Sequence, residues 1–255
     1  MVISHEHKYL FIEIPLTASW AIRHELCEHY AGEPILHKHA CYPEFRRVTS
    51  RKQKDYFVFA TVRNPLDAAV SRFVKYKTDH KGAFSDPETV DRLRAEEADI
   101  EKFRFVQRAD AGFEDYFDRF HRRPYNSMLE LSRDHLDFVI RYENLQKGFS
   151  RVLQLIGIDQ AGPIPMMNKT ERKRRDWTSY YTAEIIDPSK RVFGPFMRRW
   201  GYEFPAHWGP YSPRWRDELA FRLLAVAQRF YLLNVRYSQA PCAKLLRWIR
   251  ARLSS

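Results

Sequence analysis

Twice within its first 77 residues the chain passes from an apolar stretch of strand length, through a tight turn, into a segment of helical periodicity. The first such unit is Tyr9-Leu10-Phe11-Ile12-Glu13-Ile14, then Pro15-Leu16-Thr17-Ala18-Ser19-Trp20, then an amphipathic stretch ending at Tyr30. The second is the apolar run from Asp55 to Val62, then Arg63-Asn64-Pro65, then a helix-like segment from Leu66 to Lys77. Short apolar runs bounded by turn residues read as strands covered on both faces. Strands alternating with helices predict a mainly parallel sheet with helices on both faces. A chain of that class binds its ligands at the carboxyl ends of its strands.

Both predicted strand ends carry anion-binding chemistry. A turn that opens a helix presents backbone N–H groups and the positive end of the helix dipole. Thr17 and Ser19 add hydroxyl donors there, and either one also serves as an ordinary helix cap. Arg63 closes the second strand, and Pro65 suits the first turn of the next helix. Ser71 follows Arg63 by eight positions, about two helical turns. A planar Arg fork takes phosphate oxygens, and a Ser hydroxyl supplies a further donor.

These two segments resemble the cofactor signatures of sulfotransferases, in the group that includes many carbohydrate sulfotransferases. Pro15, Thr17, Ala18 and Ser19 match the first signature; Arg63, Asn64, Pro65, Asp67 and Ser71 match the second, spacing included. Weaker likenesses follow at residues 137–145, at Asn168-Lys169-Thr170, at Tyr180-Tyr181-Thr182 and at Gly201-Tyr202-Glu203-Phe204, so the resemblance covers residues 8–205. It implies a three-layer α/β domain over residues 1–205 with a P-loop-like phosphate-binding turn, followed by a basic, helical C-terminal extension over 206–255. It also implies 3′-phosphoadenosine 5′-phosphosulfate as co-substrate. Residues Pro15, Leu16, Thr17, Ala18, Ser19 and Trp20 would then cradle the 5′-phosphosulfate. Arg63 and Ser71 would hold the 3′-phosphate, and Lys169 and Thr170 would close over the nucleotide. No metal is required. One position departs from the family: its first-loop Lys, near the oxygen that bridges phosphate and sulfate, is Leu16 here. Nucleotide binding is therefore better supported than catalysis, and Lys38 and Lys169 are the expected replacement cations.

Sulfuryl transfer also needs a base for the attacking hydroxyl. Residues His37-Lys38-His39-Ala40 follow a short predicted strand at 34–36. A neutral imidazole near pH 7 suits the task. The family places a His in a similar Lys-His-Ala setting, which favours His39, with His37 as substitute; the plain alternative is a surface pair of histidines. A His-x-His metal site is disfavoured because no further ligands stand at metal spacing. Lys169 begins a basic run in which Arg172, Lys173, Arg174 and Arg175 read as a solvated charge face.

At 255 residues the chain holds one sizeable domain with an appendage. Hydrophobic residues at 44% and aromatics at 15% exclude global disorder. A net charge of +11 favours anionic partners without choosing among them. No nucleic-acid recognition module is visible, so nucleic acid is not an expected partner. Gly-x-x-x-x-Gly-Lys-Ser/Thr is absent, which argues against an ATP-using kinase. Cys27, Cys41 and Cys242 form neither a disulfide framework nor zinc spacing. With no visible leader and no apolar run of membrane-spanning length, the expected location is cytoplasmic.

Other segments read more coarsely. Residues 78–111 form a polar, partly helical insertion that would shape an acceptor cleft. Phe113, Tyr116, Phe117 and Phe120 at helical spacing read as core. A further strand and helix span residues 138–142 and 144–156, with Gly157 as helix stop. Residues 207–213 read as a linker, and 217–235 as a long helix with Leu219, Leu223, Val226, Phe230 and Leu233 near one side. The final segment sets Leu245, Leu246, Ile249 and Leu253 among Lys244, Arg247, Arg250 and Arg252. It is expected to dock on the main domain, or to make a peripheral membrane or partner contact.

Three functional readings stand. The chain is a sulfotransferase acting on a hydroxyl of a carbohydrate or another small molecule. Or it is a relative that binds the nucleotide without catalysis. Or it is a basic protein that binds polyanions by charge alone.

Overall fold

The computed structural model describes residues 1–93, 97–108, 110–159, 162–165, 170 and 176–235. Lys169, the run 171–175 and the amphipathic segment at 241–255 lie outside them. The chain divides into two compact units, Met1–Arg63 with Ser127–Lys169, and Asn64–Asn126 with Thr170–Ser255.

The first unit carries a five-stranded sheet. Its strands are β1 (Val2–Ser4), β2 (Tyr9–Ile12), β3 (Glu33–Pro34), β4 (Phe57–Val62) and β5 (Phe138–Arg141), in the order β3-β1-β2-β4-β5. β2, β4 and β5 pair in parallel, with Leu10 opposite Val58 and Ala60 opposite Val139. β1 runs antiparallel to both β2 and β3, so four of the five strands point one way. The mainly parallel sheet predicted from the two strand–turn–helix units is present. β1 is a short antiparallel addition whose three residues carry no readable periodicity. The strand expected at 34–36 is Glu33–Pro34 instead, because Leu36 turns to φ 58°. Pro34 is tolerated there because β3 is an edge strand.

β2 and β4 are buried on both faces, as a central parallel strand requires. Phe11 and Phe59 face each other across the β2–β4 pair with ring centroids 5.0 Å apart. Helices α1 (Ser19–His29) and α8 (Leu145–Leu155) cover this face through Ile22, Leu26, Phe149 and Val152. Gly148 lets α8 lie close to β5, since a Cβ there would meet Ile140 Cγ2 at 2.7 Å. Gly157, at φ 83°, turns the chain out of the helix as its sequence position predicts. Two further helices, α2 (Tyr42–Val48) and α7 (Leu129–Ser132), complete this unit; the Tyr42 N–H donates to the Ser132 hydroxyl at 3.0 Å.

The second unit is helical: α3 (Pro65–Lys77), α4 (Pro87–Leu93), α5 (Glu97–Arg108), α6 (Phe113–Phe120), α9 (Ala183–Arg199) and α10 (Trp215–Asn234). Phe113, Tyr116 and Phe117 of α6 are buried, as their spacing predicts, and pack with Phe73, Ile185 and Phe193. Residues 207–213 are more than a linker. Trp208 is buried with its ring 5.1 Å from that of Tyr181, and Lys190 Nζ donates to its carbonyl at 2.6 Å. The helix expected at 217–235 forms as α10, but its apolar side is not its packed side. Phe221 and Leu232 are buried, whereas Leu219, Leu223, Val226 and Phe230 are exposed. Among the described residues, no helix is long and apolar enough to cross a membrane.

Candidate functional site

β2 ends at Ile12, and residues 13–18 carry the chain into α1. Two residues of this turn sit in the left-handed region, Leu16 at φ 64° and Ala18 at φ 60°. For residues with a Cβ that conformation costs roughly 1–2 kcal/mol each. Ala18 occupies the N-cap position of α1 and offers no side-chain cap. Its carbonyl takes the Ala21 N–H at 3.0 Å, but the N–H groups of Thr17, Ala18, Ser19 and Trp20 meet no acceptor among the described residues. A helix start leaves such donors unpaired unless a side chain or an anion takes them. A strained turn that leaves its own donors uncapped fits an anionic group.

The two loop hydroxyls have different tasks. Thr17 is buried and its hydroxyl donates to the Ile14 carbonyl at 2.7 Å. It also makes a short contact with the Thr61 hydroxyl on β4. A hydroxyl has a single proton, so Thr61 is the donor of that second bond. Thr17 therefore braces the turn and ties it to the neighbouring strand. Ser19 has no such partner among the described residues, and its hydroxyl is the loop's available donor.

Arg63 follows directly on β4 and is 9% exposed. Its Nη1 donates to the Leu16 carbonyl at 2.9 Å, and its guanidinium lies over the Tyr142 ring, 4.1 Å from the centroid. The two signature segments of the sequence thus meet. Leu16, where a Lys was expected, contributes its carbonyl, and the cation fixed on that carbonyl is Arg63. Lys38 lies over the Trp20 ring, with Nζ 4.9 Å from its centroid, and Arg23 approaches the same ring at 5.9 Å.

The histidines separate clearly. His39 is half-buried, and its Nδ1 lies 2.9 Å from the Glu13 carbonyl at the exit of β2. A carbonyl only accepts, so Nδ1 carries the proton and Nε2 keeps its lone pair. Burial lowers the His39 pKa below the usual imidazole value, and the nearby Lys38 charge adds to the effect. The ring is therefore neutral at pH 7. His37 is exposed, and its Nε2 lies 3.0 Å from Glu44 Oε1; Glu44 Oε2 in turn accepts the Cys41 N–H at 2.8 Å. That histidine belongs to the cap of α2.

Glu13, which the sequence reading passed over, joins these parts. Its carboxylate is buried and accepts from Arg23 Nη1 at 2.8 Å and from the Met1 nitrogen at 2.9 Å through Oε1. Its Oε2 is buried without a partner among the described residues. A charged residue inside an otherwise apolar strand was the signal available in the sequence.

The remaining expected residues fall elsewhere. Asn64 caps α3 by accepting the Leu66 N–H at 3.0 Å, with Pro65 in the first turn. Ser71 lies in α3 of the second unit and is wholly buried. Thr170 is half-buried, and Lys169 lies outside the described residues. Among the described residues, no group of three or more His, Cys, Asp or Glu side chains is arranged to hold a metal ion.

The sequence model described as the Sulfotransferase family matches residues 1–193. The chain belongs to the sulfotransferase family. The match contains both strand–turn–helix units, the 37–39 segment and β5. Among solved structures, the crystal structure of mouse sulfotransferase SULT7A1 complexed with PAP is similar at 16% sequence identity. That alignment has a TM-score of 0.44 and covers 77% of this chain and 86% of the other. A search of curated proteins returns no match.

Proposed function

We propose that this sulfotransferase moves a sulfuryl group from 3′-phosphoadenosine 5′-phosphosulfate to a hydroxyl of a carbohydrate or another small molecule. The acceptor oxygen attacks sulfur, the bond from sulfur to the bridging phosphate oxygen breaks, and 3′-phosphoadenosine 5′-phosphate leaves. The acceptor's proton passes to His39 Nε2. The N–H groups of residues 17–20 and the Ser19 hydroxyl hold the 5′-phosphosulfate. Arg63 and Ser71 hold the 3′-phosphate, with Arg63 using one N–H on the loop and others of the same fork on the ligand. Lys38 supplies charge to the leaving oxygen in place of the Lys that Leu16 replaces, and Lys169 and Thr170 close over the nucleotide.

The observation that carries this reading is the His39–Glu13 bond. It puts a neutral imidazole with a bare Nε2 on the strand end that opens the anion-binding turn. General bases of this kind need a pKa near or below the working pH and a fixed tautomer. Leu16 favours a second reading, a relative that binds the nucleotide and transfers nothing. Transfer of radiolabelled sulfate to a panel of glycans and small alcohols, with products read by mass spectrometry, separates the two. Selective calorimetric binding of 3′-phosphoadenosine 5′-phosphate over AMP with no transfer to any acceptor selects the second.

A further inference from the structure

Helix α10 keeps one side against α9 and leaves the opposite side in solvent. On the packed side Phe221 is fully buried beneath the Arg199 guanidinium at 4.9 Å, and Arg198 pairs with Glu218 at 2.9 Å. On the other side Trp215, Leu219, Leu223, Val226 and Phe230 are 70, 47, 59, 66 and 58% exposed. At 3.6 residues per turn these five fall within an arc of about 80°. Isolated exposed apolar residues are ordinary, but a continuous stripe of five marks an interaction surface. Exposed arginines flank it, Arg222 and Arg229 along one edge and Arg216 along the other.

Charge decides what covers this stripe. From Leu219 to Ser255 the sequence contains no Asp or Glu, and every charged residue is Arg or Lys. A second copy of α10 is a poor occupant. Leu219, Leu223, Val226 and Phe230 follow coiled-coil spacing, with Arg222 and Arg229 at one flank and Ala220 and Ala227 at the other. Parallel pairing would give those arginines no carboxylate, and antiparallel pairing would set Arg against Arg. The residues that follow α10 in the sequence offer no carboxylate either, since their charged side chains are all Arg or Lys. An anionic lipid leaflet answers both features: its boundary region takes apolar side chains, and its headgroups pair with Arg. Trp215 and Phe230, toward the two ends of the helix, are side chains that interfacial helices carry on their apolar face.

We propose that α10 docks this protein flat on an anionic lipid surface. The five apolar side chains enter the boundary between headgroups and acyl chains, and Arg216, Arg222 and Arg229 meet the headgroup anions. The contact is peripheral and independent of the donor-binding turn. It confines the enzyme to a membrane surface and to acceptors presented there.

The test is sedimentation of the full chain with vesicles of phosphatidylcholine alone, or with roughly a third phosphatidylserine. Binding to the mixed vesicles is expected to be at least about tenfold tighter than to the neutral ones, and to weaken as salt is raised. The double variant Leu223→Glu/Val226→Glu changes exposed side chains only and is expected to keep the wild-type circular dichroism spectrum while losing vesicle binding. Arg222→Glu/Arg229→Glu is expected to abolish the preference for anionic vesicles. A wild type that ignores both vesicle types, or a Leu223→Glu/Val226→Glu variant that binds as well as wild type, overturns the proposal. A concentration-dependent dimer that this variant dissociates, in a wild type that ignores vesicles, assigns the stripe to self-association instead.

Discussion

Replacing His39 tests both the chemistry and the reason for assigning it. Two variants are needed, because the imidazole has two functions. Its Nδ1–H holds the Glu13 carbonyl at 2.9 Å, and its Nε2 is the proposed base. His39→Ala removes both. His39→Asn keeps an N–H near the Nδ1 position and removes only the base. If the proton transfer is real, each variant is expected to lose roughly 10²–10⁴-fold in turnover, about 3–5 kcal/mol of transition-state stabilisation. Affinity for 3′-phosphoadenosine 5′-phosphate, measured by calorimetry, is expected to stay within about twofold, since the proposed base would face the acceptor and not the phosphates. The pH profile adds an independent sign. Burial lowers the His39 pKa, so the ring is already neutral at pH 7 and the wild-type rate is expected to be flat above that pH. The rate should fall on the acid side, below the ordinary imidazole pKa of about 6.5, as one proton is bound. That acid limb is expected to vanish in both variants. A His39→Asn enzyme with wild-type turnover would show that the imidazole matters only for its bond to Glu13. A large loss in His37→Ala with none in His39→Ala would move the base to the cap of α2.

The other expectations are simpler to state. Arg63→Ala should weaken nucleotide binding by roughly 1.5–3 kcal/mol, the range for a charged hydrogen bond, and shrink the preference for the 3′-phosphorylated nucleotide over AMP; unchanged calorimetric selectivity in a folded variant removes Arg63 from the site. Lys38→Ala should cut single-turnover transfer of labelled sulfate by roughly 10²–10³-fold with little change in donor affinity, and Leu16→Lys should give little gain, whereas an inactive wild type rescued by Leu16→Lys would establish a binding-only protein. His121→Phe should protect the fold in acid. His121 is buried against the Phe117 ring, its Nδ1 has no partner among the described residues, and burial pushes its pKa to about 3. The unfolded chain binds that proton near pH 6.5, so the wild type keeps this stability above that pH and loses roughly 2–3 kcal/mol by pH 4.5. Urea unfolding at pH 7 and pH 4.5 should show a smaller acid loss in the variant, and an equal loss in both proteins refutes the assignment.

What the sequence disclosed follows from what periodicity and turn chemistry encode. β2, β4 and their following helices were readable because a run such as Phe57–Val62 is apolar at every position but Thr61, bounded by turn residues, and followed by a Pro suited to a first helical turn. β1 was not, and β3 was read with shifted bounds, at 34–36 in place of Glu33–Pro34, since three and two residues carry no period and are held by pairing with strands that come later or lie elsewhere. Trp208 was hidden by its neighbours: Pro and Gly around it spell a linker, yet the ring is buried, a decision made by Tyr181 and Phe204, not by local propensity. For α10 the period was correct and the face was the reverse of a soluble helix. Periodicity reports that a helix has an apolar side; it cannot report which side finds a neighbour.

The site shows the same division between what a residue is and what it touches. The signature segments located the turn, but not the bonds that shape it. Thr17 reads as a ligand donor, and its proton goes to the Ile14 carbonyl. Arg63 reads as a phosphate clamp, and it also fixes the Leu16 carbonyl of the turn itself. These two bonds explain how Leu16 and Ala18 hold left-handed backbone that would otherwise be costly. Thr61 and Arg63 anchor the turn from β4, and Glu13 anchors the entrance from β2 through Arg23 of α1. The turn's shape is thus set by Thr17 and by neighbours in the sheet, not by the side chain at position 16, so Leu16 can replace a Lys without collapsing the turn. In the proposed reaction the charge that the Lys would bring to the leaving oxygen comes from Lys38, and the shape of the turn stays with Thr17, Thr61 and Arg63.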